Sequence, residues 1–293
     1  MNIFLTGATG GLGRALLTPL TAHGHRITAL ARNPTMLPEL PGLDVVGGDL
    51  LEPDTFRNAL TGCQAVLHLA ALTHAVHAKD YGRVNVDGTW ALLGACRDVC
   101  PQARFVFVGT RAMGAACGAY GASKARAEAL VRASGLAHWV ILRPAEIYGV
   151  GRGEAIADLA RRCAKGGLVP LPGDGGQMLA PVHVDDVITA ILTALTSPAA
   201  LSHTYVLAGP EEISFAALAD RLAARAGKRI LKISVPLFFF TIAAAVLSCL
   251  MKRPPLVPDQ IARLTGTKDA DIRAARADLD FAPRPLEAGM ADI

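Results

Sequence analysis

With 293 residues, 52% of them apolar and 18% charged, the chain has the composition of a globular protein with a full core, which excludes disorder and low complexity. A net charge of +4, spread along the whole length, argues against nucleic acid as a partner. The opening MNIFLTGATG lacks the positive stretch of a secretory signal, and the six cysteines form no CxxC pair, so reduced thiols, no metal site and a cytoplasmic location are expected.

In chain order, residues 2–6 read as a short buried strand, followed by a glycine-rich turn and a helix through Leu20. Further strands are expected over 26–30, 43–46, 65–69, 105–108 and 139–142, and helices over 53–60, 81–100 and 119–134. Short apolar strands that alternate with helices imply an α/β fold, a doubly wound parallel sheet covered on both faces. Past Gly149 the rhythm breaks. Residues 154–165 read as a helix, GLVPLPGDGG as a loop, 187–195 as a helix, 204–207 as a strand, and 214–226 as a helix capped by Ser214. The expected division is a dinucleotide-binding domain over 1–150, with 181–210 returning to it. A smaller C-terminal substrate lobe is expected over 151–180 and 211–293.

One stretch of the lobe stands apart. Residues 235–251, VPLFFFTIAAAVLSCLM, carry no charge and lie between Lys232 and Lys252–Arg253. That length is at the short end of what spans a bilayer, about 17–25 residues, and Pro236, Thr241 and Ser248 weaken that case. A buried helix of the lobe is expected, with peripheral membrane contact as the alternative.

The turn after the first strand reads TGATGGLG, residues 6–13. Glycine lets backbone N–H groups come close to a pyrophosphate, and the helix N-terminus adds partial positive charge. Gly7, Thr9, Gly10, Gly11, Leu12 and Gly13 are therefore candidate cofactor contacts, at the spacing G-x-x-G-x-x-G. The second strand ends in Ala31, Arg32 and Asn33, without the acid that would hold an NAD ribose. Arg32 could pair with the 2′-phosphate of NADP, so NADP is the expected cofactor, with NAD possible. Asp49 and Leu50 follow the third strand, where a carboxylate could meet the adenine amino group.

Tyr120 and Lys124 lie four apart, on one face of the helix expected over 119–134. A cation beside the phenol would favour the phenolate, which predicts that Lys124 lowers the pKa of Tyr120. Tyr120 could then exchange a proton with a substrate oxygen held by the hydroxyl of Thr110.

Taken together, TGATGGLG (6–13), GGDL (47–50), HLAA (68–71), VNVDGT (84–89), VGT (108–110), YGASK (120–124), LRPAEIYG (142–149) and HVDD (183–186) resemble the extended short-chain dehydrogenase/reductase family, the group of epimerases and dehydratases. The resemblance covers about the first two thirds of the chain. It implies hydride exchange with a nicotinamide and a catalytic set of Thr110, Tyr120 and Lys124. It also implies cofactor contacts at Leu69, Ala70, Ala71, Tyr120, Lys124, Pro144 and Ile147, and a homodimer. Its substrate class is a hydroxyl or carbonyl of a sugar-like or other small molecule. His183 is read as structural, with Asp185 and Asp186 as helix N-terminal charges.

The chain departs from that pattern in three ways. Thr110 replaces the commoner serine and keeps the hydroxyl. Only nine residues separate Thr110 from Tyr120, which trims the rim of the site. Residues 177–181 (Gln, Met, Leu, Ala, Pro) hold no cation where several nucleotide-sugar enzymes carry an arginine for the diphosphate; Arg152 or Arg273 are the substitutes to consider. Two alternatives to a sugar-type enzyme stay open: a non-catalytic NADP-binding accessory subunit or redox sensor, as in respiratory complex I, and a reductase of an apolar substrate such as a steroid or isoprenoid.

Overall fold

The computed structural model describes residues 1–149, 155–251, 254 and 256–292. The chain begins in the middle of a seven-stranded parallel sheet at β1 (Asn2–Thr6). It passes through α1 (Gly11–Ala22) to β2 (Arg26–Ala31) and out to the edge at β3 (Leu43–Gly47). It then returns to β4 (Ala65–His68) on the other side of β1. A helical run, α2 (Ala78–Tyr81) and α3 (Gly88–Val99) joined by a π-helical turn over Gly82–Asp87, leads to β5 (Arg104–Val108). Next come α4 (Gly118–Arg132), β6 (Trp139–Pro144) and the short β7 (Ile147–Tyr148). The strand order reverses between β1 and β4, and such a reversal opens a crevice beyond the carboxyl ends of the two strands.

Alternating strand residues build two cores. Ile3, Leu5, Leu67, Val106 and Val140 pack with Leu16, Leu17 and Leu20 of α1. Phe4, Val66, Phe105, Phe107 and Ile141 pack on the other face with Leu92 and Leu93 of α3 and Ala127 and Val131 of α4. This is the two-residue period of a strand read against two helical layers.

The second half continues with α5 (Ala155–Lys165), β8 (Gly167–Pro172), β9 (Met178–Leu179), β10 (Val182–His183) and α6 (Val184–Thr196). β11 (His203–Leu207) returns to the main sheet, pairing with β6. Beyond it lie β12 (Ile213–Ser214), α7 (Phe215–Arg225), β13 (Ile230–Val235), α8 (Leu237–Leu250), α9 (Pro258–Thr265), α10 (Arg273–Leu279) and α11 (Leu286–Gly289). Ile156, Leu159, Leu171, Ile213, Leu218 and Leu222 gather in a separate small core. Ser214 caps α7 by accepting from the Ala217 N–H. His183 caps α6 by accepting from the Asp185 N–H, with Asp185 and Asp186 in the first turn.

Three elements differ from expectation. Residues 53–60 form two 3₁₀ turns, Pro53–Thr55 and Arg57–Leu60, because buried Phe56 turns inward between them. GLVPLPGDGG is not all loop: residues 167–172 are β8, paired in parallel with β13, a strand without clear polar alternation. With a single neighbouring strand, every second N–H of β8 has no partner to lose, so prolines at 170 and 172 are tolerated. Third, α8 is helical but not buried. Only Ala244 is fully enclosed, and Phe238, Phe239, Ile242, Val246 and Leu250 face outward.

One buried ion pair fixes the helix that carries Tyr120 and Lys124. Glu128 of α4, fully buried, accepts from Arg143 of β6 through Nε at 2.9 Å and Nη2 at 2.5 Å. Arg132, one turn on, adds a third contact at 2.6 Å. Removing one member of a buried pair leaves the other uncompensated. Glu128→Ala is expected to lower stability by about 3–5 kcal/mol, measured by urea denaturation, whereas an exposed carboxylate such as Asp98 should cost under about 1 kcal/mol.

Candidate active site

The crevice at the strand reversal is a cleft of about 340 Å³. It is lined by Gly7, Thr9, Gly10, Arg32, Asp49, Leu50, Leu69, Ala70 and Ala71, so nine of the candidate cofactor residues share one surface. Gly7 has φ +81°, and a Cβ there would lie 2.6 Å from the Ala70 backbone nitrogen. Only glycine lets the loop turn against the end of β4. A side chain at Gly13 would strike the Gly7 carbonyl, so that glycine holds α1 close to the loop. Gly10 is the N-cap of α1 and supplies no side-chain bond, which leaves the first-turn N–H groups, those of Gly11 and Leu12 included, without an internal partner. A helix N-terminus open in this way, at the end of a glycine turn, fits a pyrophosphate. Asp49 keeps one oxygen on the Leu51 N–H at 3.0 Å. Arg32 is exposed at the end of β2.

A chain of buried hydrogen bonds runs from this cleft to α4. The Ala70 N–H donates to the Thr6 hydroxyl (3.2 Å), which contacts Nδ1 of His68 (2.7 Å). Nε2 of His68 meets the Thr89 hydroxyl (2.9 Å), and Thr89 donates to the Asn85 carbonyl (2.7 Å). Thr89 has spent its proton on Asn85, so Nε2 carries the imidazole hydrogen and Nδ1 accepts from Thr6. Burial, with the nearby Lys124, drives the imidazole's pKa down to about 3, so His68 is a neutral strut. The Asn85 amide continues to the Ser123 hydroxyl (2.9 Å), which donates to the Tyr120 carbonyl (2.7 Å).

Tyr120 and Lys124 share the inner face of α4, and both are buried. Thr110, beyond the end of β5, lines the same pocket as Tyr120 and accepts from the Ala112 N–H at 3.1 Å. Lys124 does not act on the phenol as expected. Its ammonium donates to the Val108 carbonyl at 2.8 Å and lies 4.2 Å from the centre of the Phe107 ring. Burial pushes the Tyr120 phenol up, and the nearest opposing cation is Arg263 of α9, whose guanidinium lies 4.5 Å from the ring centre. Lys124 runs down toward β5 instead. Burial there lowers its pKa to about 7 against a partial counter-effect from Glu128.

Several pocket residues were not among the candidates for the site, although Glu146 lies inside LRPAEIYG. Arg111 is buried and donates to Glu146 at 2.7 Å, and Lys268 meets the other oxygen of Glu146 at 3.0 Å. Burial pushes the Glu146 carboxyl up, but Lys268 and Arg111 outweigh it and hold it below the usual range. Asp259 accepts from the Tyr120 N–H at 3.1 Å and pairs with Arg263 at 3.1 Å, so α9 caps α4 from outside. The only local signal for this was the i,i+4 spacing of Asp259 and Arg263. Thr110, Tyr120, Arg111, Glu146, Arg263 and Lys268 thus ring a pocket of about 410 Å³, completed by Leu159, Leu179, Phe215, Phe240 and Ile261. Pro144 ends β6, its carbonyl taken by the Arg111 N–H, and Ile147 is half-buried in β7. Neither lines the two clefts. Arg273 is no substitute for the missing diphosphate arginine, being exposed and clamped to Asp271 at 2.6 Å. Arg152 lies outside the described residues.

Residues 3–208 match the NAD dependent epimerase/dehydratase family. The chain belongs to that family. A 2-alkyl-3-oxoalkanoate reductase of Stenotrophomonas maltophilia is 31% identical over 78% of this chain and 76% of its own length. A ceramide reductase of Caulobacter vibrioides is 32% identical over 67% of the chain, which spans 61% of that protein. A UDP-glucose 4-epimerase of Vibrio cholerae is 26% identical over 96% and 90%. Among solved structures, MoeE5 in complex with UDP-glucuronic acid and NAD superimposes with a TM-score of 0.79 at 26% identity, covering 100% of this chain and 97% of that one. As a member of this family of NAD-dependent epimerases and reductases, the protein is an oxidoreductase-type enzyme.

Lys124 has a consequence for pH. Its folded pKa, about 7, lies below the ordinary 10.5, so across that window the unfolded chain holds a proton that the fold does not. Stability without nucleotide therefore gains from Lys124 as pH rises from about 7 to about 10, and the cost of the buried cation is complete below about 7. Lys124→Met should be stabilising relative to the wild type near pH 7 and lose that advantage near pH 10. Denaturant titrations at the two pH values check this; a difference that does not change with pH would contradict it.

Proposed function

We propose that the protein is an NADP-dependent reductase of a ketone carried on an apolar chain. The observation that carries this reading is the pocket wall over Thr110 and Tyr120, where Leu159, Leu179, Phe215, Phe240 and Ile261 stand around the catalytic pair. Two relatives named as reductases, of a 2-alkyl-3-oxoalkanoate and of ceramide, fit the same chemistry. The stretch 177–181 offers no cation to a sugar diphosphate.

When bound, a nicotinamide supplies the hydride. Gly7, Thr9, Gly10 and the first turn of α1 would hold its pyrophosphate, and Asp49, Leu50, Leu69, Ala70 and Ala71 the adenosine half. Lys124 would hold the nicotinamide end. Arg32 would face the 2′-phosphate. Thr110 and Tyr120 would share the substrate oxygen, and Tyr120 would give it a proton as the carbonyl becomes an alcohol. A phenol that burial keeps protonated suits the donor role. Arg263, over the phenol ring, would stabilise the phenolate left behind until a proton from water restores the phenol.

The test is NADPH oxidation with a medium-chain 3-oxo acid and a medium-chain methyl ketone, set against UDP-glucose. Turnover of the ketones is expected; interconversion of the sugar nucleotide alone would replace this reading with an epimerase. Tyr120→Phe should lower turnover about 10²–10⁴-fold while nucleotide affinity stays near wild type. Failure of nucleotide binding in that variant would remove the assigned role.

Arg32→Ala gives the cofactor test. A charge-assisted contact is worth about 1.5–3 kcal/mol, so NADPH should lose about ten- to a hundredfold in affinity and NADH little, by calorimetry. Equal affinities of the unmodified protein for NADPH and NADH would refute NADP preference.

A further inference from the structure

The outer face of α8 holds an apolar stripe. Phe238, Phe239, Ile242, Val246 and Leu250 recur at helical spacing and are exposed, Phe238 at 67% and Leu250 at 77%. The preceding strand adds to it. Leu231 and Ile233 of β13 and Leu168 of β8 are exposed as well, and Leu231 is the register partner of Leu168. Large apolar side chains clustered at the surface in this way mark a surface that something else covers.

The charges of the same stretch say what. From residue 227 to 258 the chain carries five cations, Lys228, Arg229, Lys232, Lys252 and Arg253, and no acid. Of the three that the structure describes, Lys228, Arg229 and Lys232, only Lys232 is held by a carboxylate, Asp220 at 2.6 Å. A protein partner has no need of an apolar face bracketed by cations, and a second copy would bring those cations toward one another. An anionic lipid leaflet supplies both an apolar interior and negative headgroups. With 14 residues α8 is about 21 Å long, shorter than a bilayer core of about 30 Å. No helix among the described residues is long and apolar enough to cross a membrane. We infer that α8 lies in the plane of an anionic membrane surface, with Phe238, Phe239, Ile242 and Val246 among the acyl chains and the flanking cations at the headgroups.

The inner face of the same helix gives the docking a use. Phe240 lies between exposed Phe239 and Ile242 in the sequence, yet it points inward and forms part of the pocket wall over Tyr120. α8 rests on α9, which brings Gln260, Ile261, Arg263 and Leu264 to the same pocket. A membrane-seated α8 therefore places that pocket beside the bilayer, where a ketone with an acyl tail resides. This last step rests on the apolar-substrate reading above; the docking itself does not.

The experiment is flotation of the full chain with vesicles of phosphatidylcholine alone and of phosphatidylcholine and phosphatidylglycerol in equal parts. Binding is expected to the anionic vesicles, weakened several-fold by high salt. It should be lost in a Phe238→Ser, Phe239→Ser, Ile242→Ser variant that keeps its melting temperature and its nucleotide affinity. No flotation with anionic vesicles overturns the inference. So does flotation that the triple variant leaves unchanged, or a concentration-dependent dimer dispersed by the variant without vesicle binding. Flotation needs no substrate. An enzyme that floats but turns over only sugar nucleotides would keep the docking and discard the substrate assignment.

Discussion

The hydrogen-bonded line from Ala70 through Thr6, His68, Thr89, Asn85 and Ser123 to Tyr120 ties the glycine-loop cleft to α4, and most of the site's geometry depends on it. Its members lie in β1, at the end of β4, in the helical run after β4, and in α4, so it crosses elements that share no local sequence. The imidazole at its centre has both nitrogens engaged and is held neutral by burial, which removes any tendency to swing or to titrate. The π-helical turn over Gly82–Asp87 brings Asn85 to the junction, where its amide serves Leu72 as well as Ser123. Wide turns of this kind recur at functional sites because they re-aim a side chain without ending the helix.

That rigidity allows two cations, one buried and one half-buried, to divide the space around Tyr120. Lys124 is anchored to the Val108 carbonyl and the Phe107 ring, with Glu128 one turn farther along the helix, so its charge sits beneath the pocket. Arg263 comes from the opposite side, across the phenol ring, and is itself held by Asp259. Asp259 in turn caps the helix that carries Tyr120. The C-terminal segment is thus part of the catalytic helix's own stability, and a change in α9 would act on the phenol twice, through charge and through helix position.

Much of this was legible in the residues and some of it could not be. The sheet and its strand limits followed from short apolar runs, and the glycine turn from three glycines whose spacing has a backbone reason. The placement of Thr110 beside Tyr120 followed from a strand end and a helix face. What failed to show was of two kinds. The cap of α4 comes from a residue 139 positions away, so no local pattern announces it. The strands β8 and β13 pair only with each other, and a two-stranded ribbon tolerates proline and irregular polarity that a central strand does not. The direction in which Lys124 points depends on the tertiary fold, because i,i+4 spacing fixes a shared face and not a shared target.

The apolar stretch 235–251 shows the same limit most sharply. Hydropathy states that these side chains avoid water; it does not state what covers them. The structure divides the helix between two surroundings: Phe240 and Ala244 turn toward the body of the protein, and Phe238, Phe239, Ile242 and Val246 turn away from it. A helix apolar on every side has no polar face by which solvent could orient it, so its orientation is set by α9 on one flank and by whatever meets the other. The element with the least solvent-compatible surface is therefore also one that supplies a wall residue, Phe240, to the pocket that holds Tyr120.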